Sequence, residues 1–283
     1  MKILVTGAGG FTGRHVVDLA QARGHDVVAL QSDLRNVAEL GPEVAGHDFD
    51  TVLHLAGISF VGHVVASDFY DVNVIGTLNL LDALAARMIR PVRVVLAGSA
   101  NVYGNARTSP LDETQAPAPV NHYAMSKLAM EYMARTRLDA LPIVLARPFN
   151  YTGVGQDRSF LIPKLVAHFA GRQPVVELGN IDVEREFNDV RFVAEAYLRL
   201  LERGVPGEVY NICSGQPVSL RAVLDQLERI TGHAIEVQVN PAFVRAHEVH
   251  RLCGNPDKLV RMAGAIKTPT LEQTLRWMLG AAC

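Results

Sequence analysis

Apolar segments rich in β-branched residues alternate with amphipathic stretches along the first half of the chain. These segments predict strands at residues 2–6, 26–30, 51–55, 93–97 and 143–147. The stretches between them repeat apolar residues at helical spacing. Uninterrupted apolar strands joined by helical crossovers are typical of a parallel sheet that is covered on both faces. The pattern therefore predicts an α/β fold built on a doubly wound parallel sheet.

The pattern loosens after Pro148 into loops rich in Gly, Asn and Asp. Helical spacing returns at residues 160–170, 193–203 and 220–231. A short apolar strand at 208–212 is expected to rejoin the main sheet, so no single boundary divides the chain. The predicted division is a main domain of residues 1–149 plus about 188–213, and a smaller C-terminal lobe of residues 150–187 and 214–283.

Composition and charge mainly exclude certain classes of protein and partner. With 283 residues, 49% of them hydrophobic, the chain can bury a full core. Its formal net charge of -2 and its scattered Lys and Arg residues argue against a nucleic-acid partner. No apolar run approaches the roughly 20 residues of a membrane span, and Met1 and Lys2 lead directly into a strand, which leaves no room for a signal peptide. We therefore expect a cytoplasmic protein without a membrane partner.

A glycine-rich segment joins the first predicted strand to the first predicted helix. Gly7, Gly10 and Gly13 follow a Gly-x-x-Gly-x-x-Gly spacing, with Phe11 and Thr12 in the same turn. Glycines at this point permit a tight turn and let a pyrophosphate approach the N–H groups at a helix N-terminus, where the helix dipole favours negative charge. Because the motif follows a strand and opens an amphipathic helix, it predicts a dinucleotide-binding site.

The preference between NAD and NADP depends on the end of the second strand. Gln31 stands where an NAD-preferring site usually has an acidic residue for the ribose hydroxyls. Gln31 does not repel a 2′-phosphate, and Arg14 and Arg35 are candidates to pair with one. The two arginines are equally compatible with solvated surface positions. The sequence therefore predicts an NAD(P) cofactor, with NADP slightly favoured over NAD.

Three side chains form a candidate catalytic set. Tyr123 and Lys127 lie four positions apart in a predicted helix, so the phenol and the ammonium share one face. A tyrosine with a pKa of about 10 needs a nearby positive charge before its proton becomes mobile near neutrality. Ser99 follows the strand at 93–97, so its hydroxyl is expected at the carboxyl end of the sheet, where ligands of such folds bind. The combination predicts an enzyme that moves a proton on a substrate oxygen.

These motifs resemble one family, and the resemblance spans the whole chain. The glycine motif, His54-Leu-Ala-Gly57, Asn73-Val-Ile-Gly-Thr77, Ser99-Ala-Asn-Val-Tyr-Gly104 and Tyr123-x-x-x-Lys127 together resemble the extended short-chain dehydrogenases/reductases that act on nucleotide sugars. The resemblance implies a Rossmann-type fold. It also implies that Ser99 orients the substrate oxygen, that Tyr123 exchanges the proton and that Lys127 holds the nicotinamide ribose. Residues implied to line the cofactor or the inner wall are Asp33, Leu34, Leu55, Ala56, Gly57, Asn73, Tyr123, Lys127, Arg147 and Phe149.

Departures from the family pattern narrow the reaction. Gly98 stands where the family usually has a second Ser, and Phe192 stands where an Asp often follows the Asp-Val-Arg run, but neither change removes a catalytic group. Relatives that dehydrate the sugar usually carry an acid just after the catalytic hydroxyl, whereas this chain has Ala100 and Asn101. Tyr103 is implied to help shape the substrate pocket, and a packing role is equally open.

The sugar end gives the most specific resemblance. Segments that begin at Arg147, Gly153 and Gly179 closely resemble the GDP-6-deoxy-D-mannose reductases, which form GDP-D-rhamnose. By this resemblance, Asn150 bonds the sugar or a phosphate. The residues implied to grip the diphosphate and nucleoside are Arg185, Arg245 and Glu248. An arginine suits a diphosphate because its planar donors pair two oxygens at once, although each is also compatible with a solvated position.

No metal site is expected from the sequence. His247 and His250 flank Glu248, but their spacing is not that of a metal-binding helix and no third ligand set accompanies them. The three cysteines, Cys213, Cys253 and Cys283, are far apart and form no Cys-x-x-Cys pair, so they indicate neither a disulfide framework nor a zinc site.

The favoured reaction is NAD(P)H-dependent reduction of an NDP-4-keto-6-deoxy sugar, GDP-4-keto-6-deoxy-D-mannose above all. An NDP-sugar 4-epimerase with tightly bound NAD and a non-catalytic dinucleotide-sensing protein stay open as alternatives. A sensor has no need of Ser99, Tyr123 and Lys127 together, whereas reductase and epimerase both need them. Helices near 72–86 and 122–135 have apolar faces beyond what one sheet surface needs. In the family such helices pair into a four-helix bundle, which implies a homodimer.

Overall fold

The computed structural model describes residues 1–106, 108–243 and 249–282. The strands of its main sheet are β1 (Lys2–Thr6), β2 (Asp26–Ala29), β3 (Thr51–His54), β4 (Arg93–Ala97), β5 (Ile143–Pro148) and β10 (Val209–Ile212). They are all parallel and lie in the order β10-β5-β4-β3-β1-β2. The order reverses between β1 and β3, which opens a crevice at the carboxyl ends of these strands. The predicted doubly wound sheet is confirmed, with strand ends within one residue of those predicted.

Helices cover both faces of the main sheet. One layer consists of α1 (Phe11–Ala22), α7 (Val190–Arg203) and α9 (Asp257–Ala263), and the other of α2 (Val37–Gly46), α4 (Thr77–Ala85) and α5 (His122–Arg135). Along β1, Ile3 and Val5 pack against the first layer and Leu4 against the second, because successive strand residues point to opposite faces. Burial on both faces explains why the strand segments are apolar without interruption.

The predicted helix at 72–86 is interrupted in the structure. Its region consists of α3 (Ala66–Tyr70), a π-helical segment at Asp71–Gly76, and then α4. A π-helical turn holds an extra residue and commonly occurs at functional sites. This turn directs Asn73 toward the loop after β3, where its Oδ1 atom accepts the Ile58 N–H at 2.9 Å. Apolar spacing alone does not reveal such a side-chain bond, so the prediction has the right type of element and misses its interruption.

We propose that the remaining elements form a smaller lobe, most of whose longer elements pack around a buried cluster of their own. Its longer elements are α6 (Leu161–Ala170), α8 (Leu220–Thr231), α10 (Leu271–Ala282), β7 (Val175–Leu178) and β12 (Glu236–Val239). Its two-residue strands are β6 (Tyr151–Thr152), β8 (Glu184–Arg185), β9 (Asn188–Asp189), β11 (Val218–Ser219) and β13 (Arg251–Leu252). β7 pairs with β12, β6 with β9, and β8 lies between β11 and β13. Over the described ranges, no helix has both the length and the apolar character that crossing a bilayer requires.

The chain leaves the main sheet after β5 and returns to it later. The return begins with α7, which starts at Val190, earlier than the predicted 193, because the Asp189 carboxylate caps it by accepting the Arg191 N–H at 2.8 Å. β10 then pairs with β5, as the sequence predicts for residues 208–212. We propose that the division into a main domain and a C-terminal lobe follows these crossings, because each part has its own buried cluster.

Candidate active site

The turn between β1 and α1 is built from glycines that leave no room for side chains. Gly7 has a φ of 69°, and a Cβ atom there would lie 2.8 Å from the backbone nitrogen of Ala56. A Cβ atom on Gly13 would lie 2.1 Å from the carbonyl oxygen of Gly7. The first N–H groups of a helix such as α1 have no partner within it, so this compact turn offers an anion a set of donors at the positive end of the helix dipole.

A groove of about 490 Å³ runs from this glycine turn to the end of β2. Gly7, Arg14, Ala29 and Gln31 are among the residues that line it. Its chemistry fits the adenosine half of a dinucleotide, with backbone donors for the diphosphate, small apolar side chains for the base and a guanidinium within the same wall. Of the predicted cofactor residues in this turn, Gly7 lines the groove, and contact of Gly10 and Gly13 with the cofactor stays a prediction.

The two arginines considered for a 2′-phosphate have different surroundings. Arg35 donates from Nη2 to Oδ2 of Asp33 at 2.6 Å, and the bonds from Arg35 lower the pKa of Asp33 to about 2. Arg14 lines the groove, and its Nη2 atom donates to the carbonyl oxygen of Gly155 at 3.1 Å. Leu34, which follows Asp33, is buried in the core beside α2 and α4. Arg14 is therefore the arginine that the groove presents.

Ser99 lies just beyond the carboxyl end of β4. It is 3% exposed and caps a short 3-10 helix at Ala100–Tyr103. Its Oγ atom accepts hydrogen bonds from the backbone N–H and the side-chain Nδ2 of Asn101, both at 3.2 Å. These two bonds fix the hydroxyl oxygen, and the same hydroxyl is hydrogen-bonded to the Tyr123 side chain.

Tyr123 and Lys127 lie on the first half of α5, which begins where Asn121 accepts the Ala124 N–H at 2.9 Å. The Lys127 ammonium donates to the carbonyl oxygen of Ala97, two residues before Ser99, at 2.8 Å. Burial lowers the pKa of Lys127 to about 8. Burial likewise raises the pKa of Tyr123 to about 12, with the nearby Ser99 hydroxyl acting in the opposite direction. The structure thus brings all three members of the predicted catalytic set to one edge of the sheet.

Asn73 links this set to the loop after β3. Its Nδ2 atom donates to the Ser126 hydroxyl at 3.0 Å, and that hydroxyl donates to the carbonyl oxygen of Tyr123 at 2.8 Å. A Cβ atom on Gly57 would lie 2.7 Å from Oδ1 of Asn73 and 3.2 Å from Nζ of Lys127. Gly57, Asn73 and Lys127, all predicted to contact the cofactor, therefore converge on one place.

His54, at the end of β3, stabilises the same loop through hydrogen bonds to two threonine hydroxyls. Its Nε2 and Nδ1 atoms lie 2.8 Å from the Thr77 hydroxyl and 2.7 Å from the Thr6 hydroxyl. Thr77 donates its proton to the carbonyl oxygen of Asn73 at 2.7 Å, so it accepts from Nε2–H, and Nδ1 accepts from Thr6. Thr6 in turn accepts the Ala56 N–H at 3.1 Å. Burial lowers the pKa of His54 to about 3, so a neutral histidine holds Asn73 and Ala56 in place.

Arg147, Phe149 and Tyr103 contact protein groups behind the catalytic set. Arg147 is 4% exposed and forms a two-pronged ion pair with Glu131, with Nη2 and Oε2 2.7 Å apart. Tyr103 is fully buried, donates its hydroxyl to Oδ1 of Asn211 at 2.7 Å and packs against the ring of Phe149 in a tilted arrangement. These contacts are those of a packing residue, and a part for Tyr103 in the substrate pocket stays a prediction. The sequence motifs did not identify Glu131, although its position one helical turn after Lys127 indicates that the two side chains share a face of α5.

The predicted sugar-binding residues are not brought together in the described part of the structure. Asn150 has an exposed side chain, and its carbonyl oxygen accepts the Asn188 N–H at 2.9 Å. Arg185 lies on β8 and donates to the carbonyl oxygens of Glu184 and Val249. Arg245 and Glu248 lie outside the described residues. Within the residues that are described, no group of three or more His, Cys, Asp or Glu side chains is arranged to hold a metal ion.

Comparison with known proteins identifies the family. Residues 3–213 match the NAD dependent epimerase/dehydratase family, so the chain belongs to this family of extended short-chain dehydrogenases/reductases. Among curated proteins, it is 35% identical to GDP-6-deoxy-D-talose 4-dehydrogenase of Aggregatibacter actinomycetemcomitans, over 93% of this chain and 92% of the relative. It is also 35% identical to GDP-6-deoxy-D-mannose reductase of Pseudomonas aeruginosa, over 98% of this chain and 96% of the relative.

Solved structures give the same fold. A candidate epimerase from Burkholderia cenocepacia J2315 has a TM-score of 0.93 at 46% identity and covers 99% of this chain and 97% of its own. RMD from Pseudomonas aeruginosa, complexed with NADPH, has a TM-score of 0.89 at 34% identity, with 99% of this chain and 97% of its own covered. The Rossmann-type fold is therefore established for this chain, and the comparisons support NAD(P) use and an enzyme family that acts on nucleotide sugars.

Proposed function

We propose that the protein reduces an NDP-4-keto-6-deoxy sugar with NAD(P)H, and that its substrate is GDP-4-keto-6-deoxy-D-mannose, which gives GDP-D-rhamnose. The observation that carries the proposal is the convergence of Ser99, Tyr123 and Lys127 at the edge of the sheet that also carries the dinucleotide groove. The resemblance of the sugar-end segments and the two GDP-6-deoxyhexose enzymes among the relatives support this substrate class.

In the proposed reaction, Tyr123 donates its proton to the C4 oxygen of the sugar. Bound NAD(P)H supplies the hydride that C4 receives. The Lys127 ammonium, held by the Ala97 carbonyl, stabilises the phenolate that Tyr123 becomes. The Ser99 hydroxyl, fixed by Asn101, donates to the same C4 oxygen and orients it. Because Ser99, Tyr123 and Lys127 are all buried, these polar interactions act in a weakly screening environment.

The residues after Ser99 favour reduction over dehydration. Ala100 is 1% exposed and has no titratable group. Asn101 uses its side-chain N–H to hold the Ser99 hydroxyl. Neither side chain can protonate a departing hydroxyl, which loss of water from the sugar requires. The chemistry left to the site is therefore hydride and proton exchange at C4.

The test is incubation of the purified protein with GDP-4-keto-6-deoxy-D-mannose and NADPH or NADH. We expect stoichiometric loss of reduced-cofactor absorbance and GDP-D-rhamnose as the product by NMR. Formation of GDP-6-deoxy-D-talose would confirm that the protein is a reductase, but the hydride would then add to the opposite face of C4. Interconversion of two GDP-hexoses without net cofactor consumption, together with failure to reduce any 4-keto sugar, would identify the 4-epimerase with tightly bound NAD. Cofactor binding without any turnover would point to a dinucleotide sensor.

The preference for NADP over NAD belongs to the same proposal. Gln31 at the end of the groove carries no charge that would repel a 2′-phosphate, and Arg14 lies in the same groove wall. The NADPH complex of RMD supports this preference by similarity. Parallel kinetics with NADPH and NADH measure it, and a lower KM for NADH than for NADPH would reverse it.

A homodimer through a four-helix bundle is also proposed. The face that α4 and α5 share with the π-helical segment exposes Ile75, Met125 and Tyr132, which are 48%, 41% and 61% exposed. Apolar side chains at helical spacing on neighbouring helices are suited to pairing with a second copy. Light scattering at micromolar concentration distinguishes a dimeric from a monomeric mass, and a monomeric mass contradicts this part of the proposal.

A further inference from the structure

A buried carboxylate lies directly behind the catalytic turn. Glu131 is 2% exposed and lies on α5 one helical turn after Lys127. A Cβ atom added to Gly98 would lie 2.7 Å from the Oε1 atom of Glu131. Gly98 joins Ala97, whose carbonyl oxygen accepts from Lys127, to Ser99. Glu131 is therefore in contact with the backbone that connects two members of the candidate catalytic set.

Arg147 clamps this carboxylate. Its Nε atom donates to Oε1 of Glu131 at 3.0 Å and its Nη2 atom donates to Oε2 at 2.7 Å. The guanidinium lies 4.9 Å from the ring centroid of Tyr103, whose hydroxyl is bonded to Asn211. A two-pronged, charge-assisted bond between buried groups fixes the position of the carboxylate.

Packing alone does not explain a charged pair at this place. Replacing a buried ion pair with well-packed apolar side chains of similar volume is often neutral or stabilising, so such a pair is weak evidence for stability. This pair stands beside Lys127, a third charged group that is 7% exposed. An isolated buried ammonium tends to lose its proton, and a nearby carboxylate counteracts this tendency. Glu131 supplies that carboxylate from the same helix.

We propose that Glu131 is a positioning residue, which, clamped by Arg147, fixes the backbone at 97–99 and keeps Lys127 charged in its bond to Ala97. The inference rests on the proposed function in one respect, which is that catalysis needs the charged form of Lys127. The charge state of Lys127 itself is measurable without a substrate, so the two ideas can be tested apart.

The titratable groups that face Lys127 come from several elements. Tyr123 and Glu131 lie on α5, His54 comes from β3, and Arg147 comes from β5. Burial raises the pKa of Tyr123 to about 12 and lowers that of His54 to about 3, so both are neutral near pH 7. The Glu131 carboxylate raises the pKa of Arg147 further above its already high value, so Arg147 remains charged. Loss of Glu131 therefore changes the charge around Lys127 most directly.

The direction of the effect follows from these charges. Burial lowers the pKa of Lys127 to about 8, and Glu131 opposes the decrease. Replacing Glu131 with Gln removes the opposition, so Lys127 loses its proton at a lower pH. The ammonium is the form that supports Tyr123, so activity is lost as the pH rises through the pKa of Lys127. The alkaline limb of kcat/KM should therefore move to lower pH in Glu131→Gln, by about one pH unit.

The experiment compares the wild type, Glu131→Gln and Asp189→Asn. Asp189→Asn is the matched control, because it removes another fully buried carboxylate that is paired with an arginine, Arg191, in the C-terminal part of the chain. The rate at which acetic anhydride acetylates Lys127 is measured against pH by peptide mass spectrometry on cofactor-free protein, and kcat/KM is measured against pH with the proposed substrate. We expect both profiles to move to lower pH in Glu131→Gln and to stay in place in Asp189→Asn.

An unchanged Lys127 titration in folded Glu131→Gln, or an equal change in Asp189→Asn, would overturn the inference. If Glu131→Gln does not fold, the double variant Glu131→Gln/Arg147→Met removes both buried charges and should show the same direction of change. A shifted titration in a protein that reduces no 4-keto sugar would reject the proposed function and keep the inference. Reduction of the 4-keto sugar together with an unshifted Lys127 titration in Glu131→Gln would keep the proposed function and reject the inference.

Discussion

The catalytic end and the sugar end of the candidate cleft are built in different ways. At the catalytic end, polar side chains are buried and hydrogen-bonded: Lys127 to Ala97, and Ser99 to Asn101. These residues sit at the ends of long elements of the main sheet and its covering helices. At the sugar end, Arg185 lies on a two-residue strand and Asn150 is exposed. The catalytic end is buried and hydrogen-bonded, whereas the sugar end has a short strand and, at Asn150, an exposed side chain.

This difference separates chemistry from recognition. The fixed end provides what every redox reaction at a sugar C4 needs, which is a proton donor, a charge beside it and a place for the dinucleotide. The open end must instead distinguish one sugar nucleotide from another, which depends on pocket shape and on a few polar contacts. Substitutions at the catalytic end should therefore reduce turnover or cofactor binding by large factors. Substitutions at the sugar end should weaken binding of the sugar nucleotide by smaller factors.

The largest effect is expected from Gly13→Ala. The added Cβ would lie 2.1 Å from the Gly7 carbonyl oxygen, a backbone atom that cannot move without displacing α1 from β1. We expect NADPH affinity to fall by about 100-fold or more, measured by calorimetry. Gly41→Ala in α2 is the matched control, because its Cβ meets no atom within 4 Å. Near-normal affinity in Gly13→Ala would show that the turn adapts, and would weaken the contrast between a rigid and an adaptable end.

The next effect concerns Tyr123→Phe. The loss of the phenolic proton donor should reduce turnover by roughly 10²-fold, while the cofactor still binds, because the ring remains. Tyr132→Phe, on the same helix and 61% exposed, is the control and should keep wild-type turnover. Stopped-flow absorbance follows turnover, and fluorescence titration follows NADPH binding. Wild-type turnover in Tyr123→Phe would assign the proton to another group.

A smaller and selective effect is expected from Arg14→Ala. Arg14 lines the groove, whereas Arg35 is paired with Asp33 and is not among the lining residues, so Arg14 is the better placed of the two for a 2′-phosphate. Loss of a charge-assisted bond should raise the KM for NADPH about tenfold and leave the KM for NADH nearly unchanged. Arg35→Ala serves as the control and should change neither value. An equal increase in the KM for NADPH and for NADH in Arg14→Ala would show that Arg14 does not recognise the 2′-phosphate.

The smallest effect is expected at the sugar end, from Arg185→Ala. We predict an increase of about fivefold in the KM for the sugar nucleotide, with kcat and the KM for NADPH close to wild type, because recognition there is shared among several contacts. Arg221→Ala in the same lobe, where Arg221 pairs with Asp182 at the surface, is the control. A loss of kcat as large as that of Tyr123→Phe would make Arg185 part of the chemistry and erase the contrast between the two ends.

The sequence predicted the main sheet closely and for a clear reason. Strands buried on both faces have to be apolar throughout, so their ends are visible as changes in composition. The helix near 122–135 was also predicted, and the structure shows that it begins where the Asn121 side chain caps it. Ser99, Tyr123 and Lys127 could be placed together because the carboxyl ends of parallel strands meet at one edge.

Side-chain pairing could not be predicted in the same way. Arg147 was expected near the cofactor, yet its guanidinium is bound by Glu131 behind the catalytic set. Arg35 was a candidate for a phosphate and is instead bound by Asp33, two positions before it. An arginine in a sequence signals a need for an anion, but residue type does not say whether the protein or the ligand provides it. The same ambiguity covers Arg185, and Arg245 and Glu248 fall outside the described residues.

The late position of β10 also governs how this chain must fold during synthesis. β5 has a paired neighbour on one side only until β10 is made, and the face of the sheet that α7 covers stays open until α7 is made shortly before. A nascent chain that ends near residue 149 therefore holds the whole catalytic set and still exposes an unpaired strand edge beside an apolar surface. The shortest segment able to close its own core extends at least to Ile212, well past the last catalytic side chain.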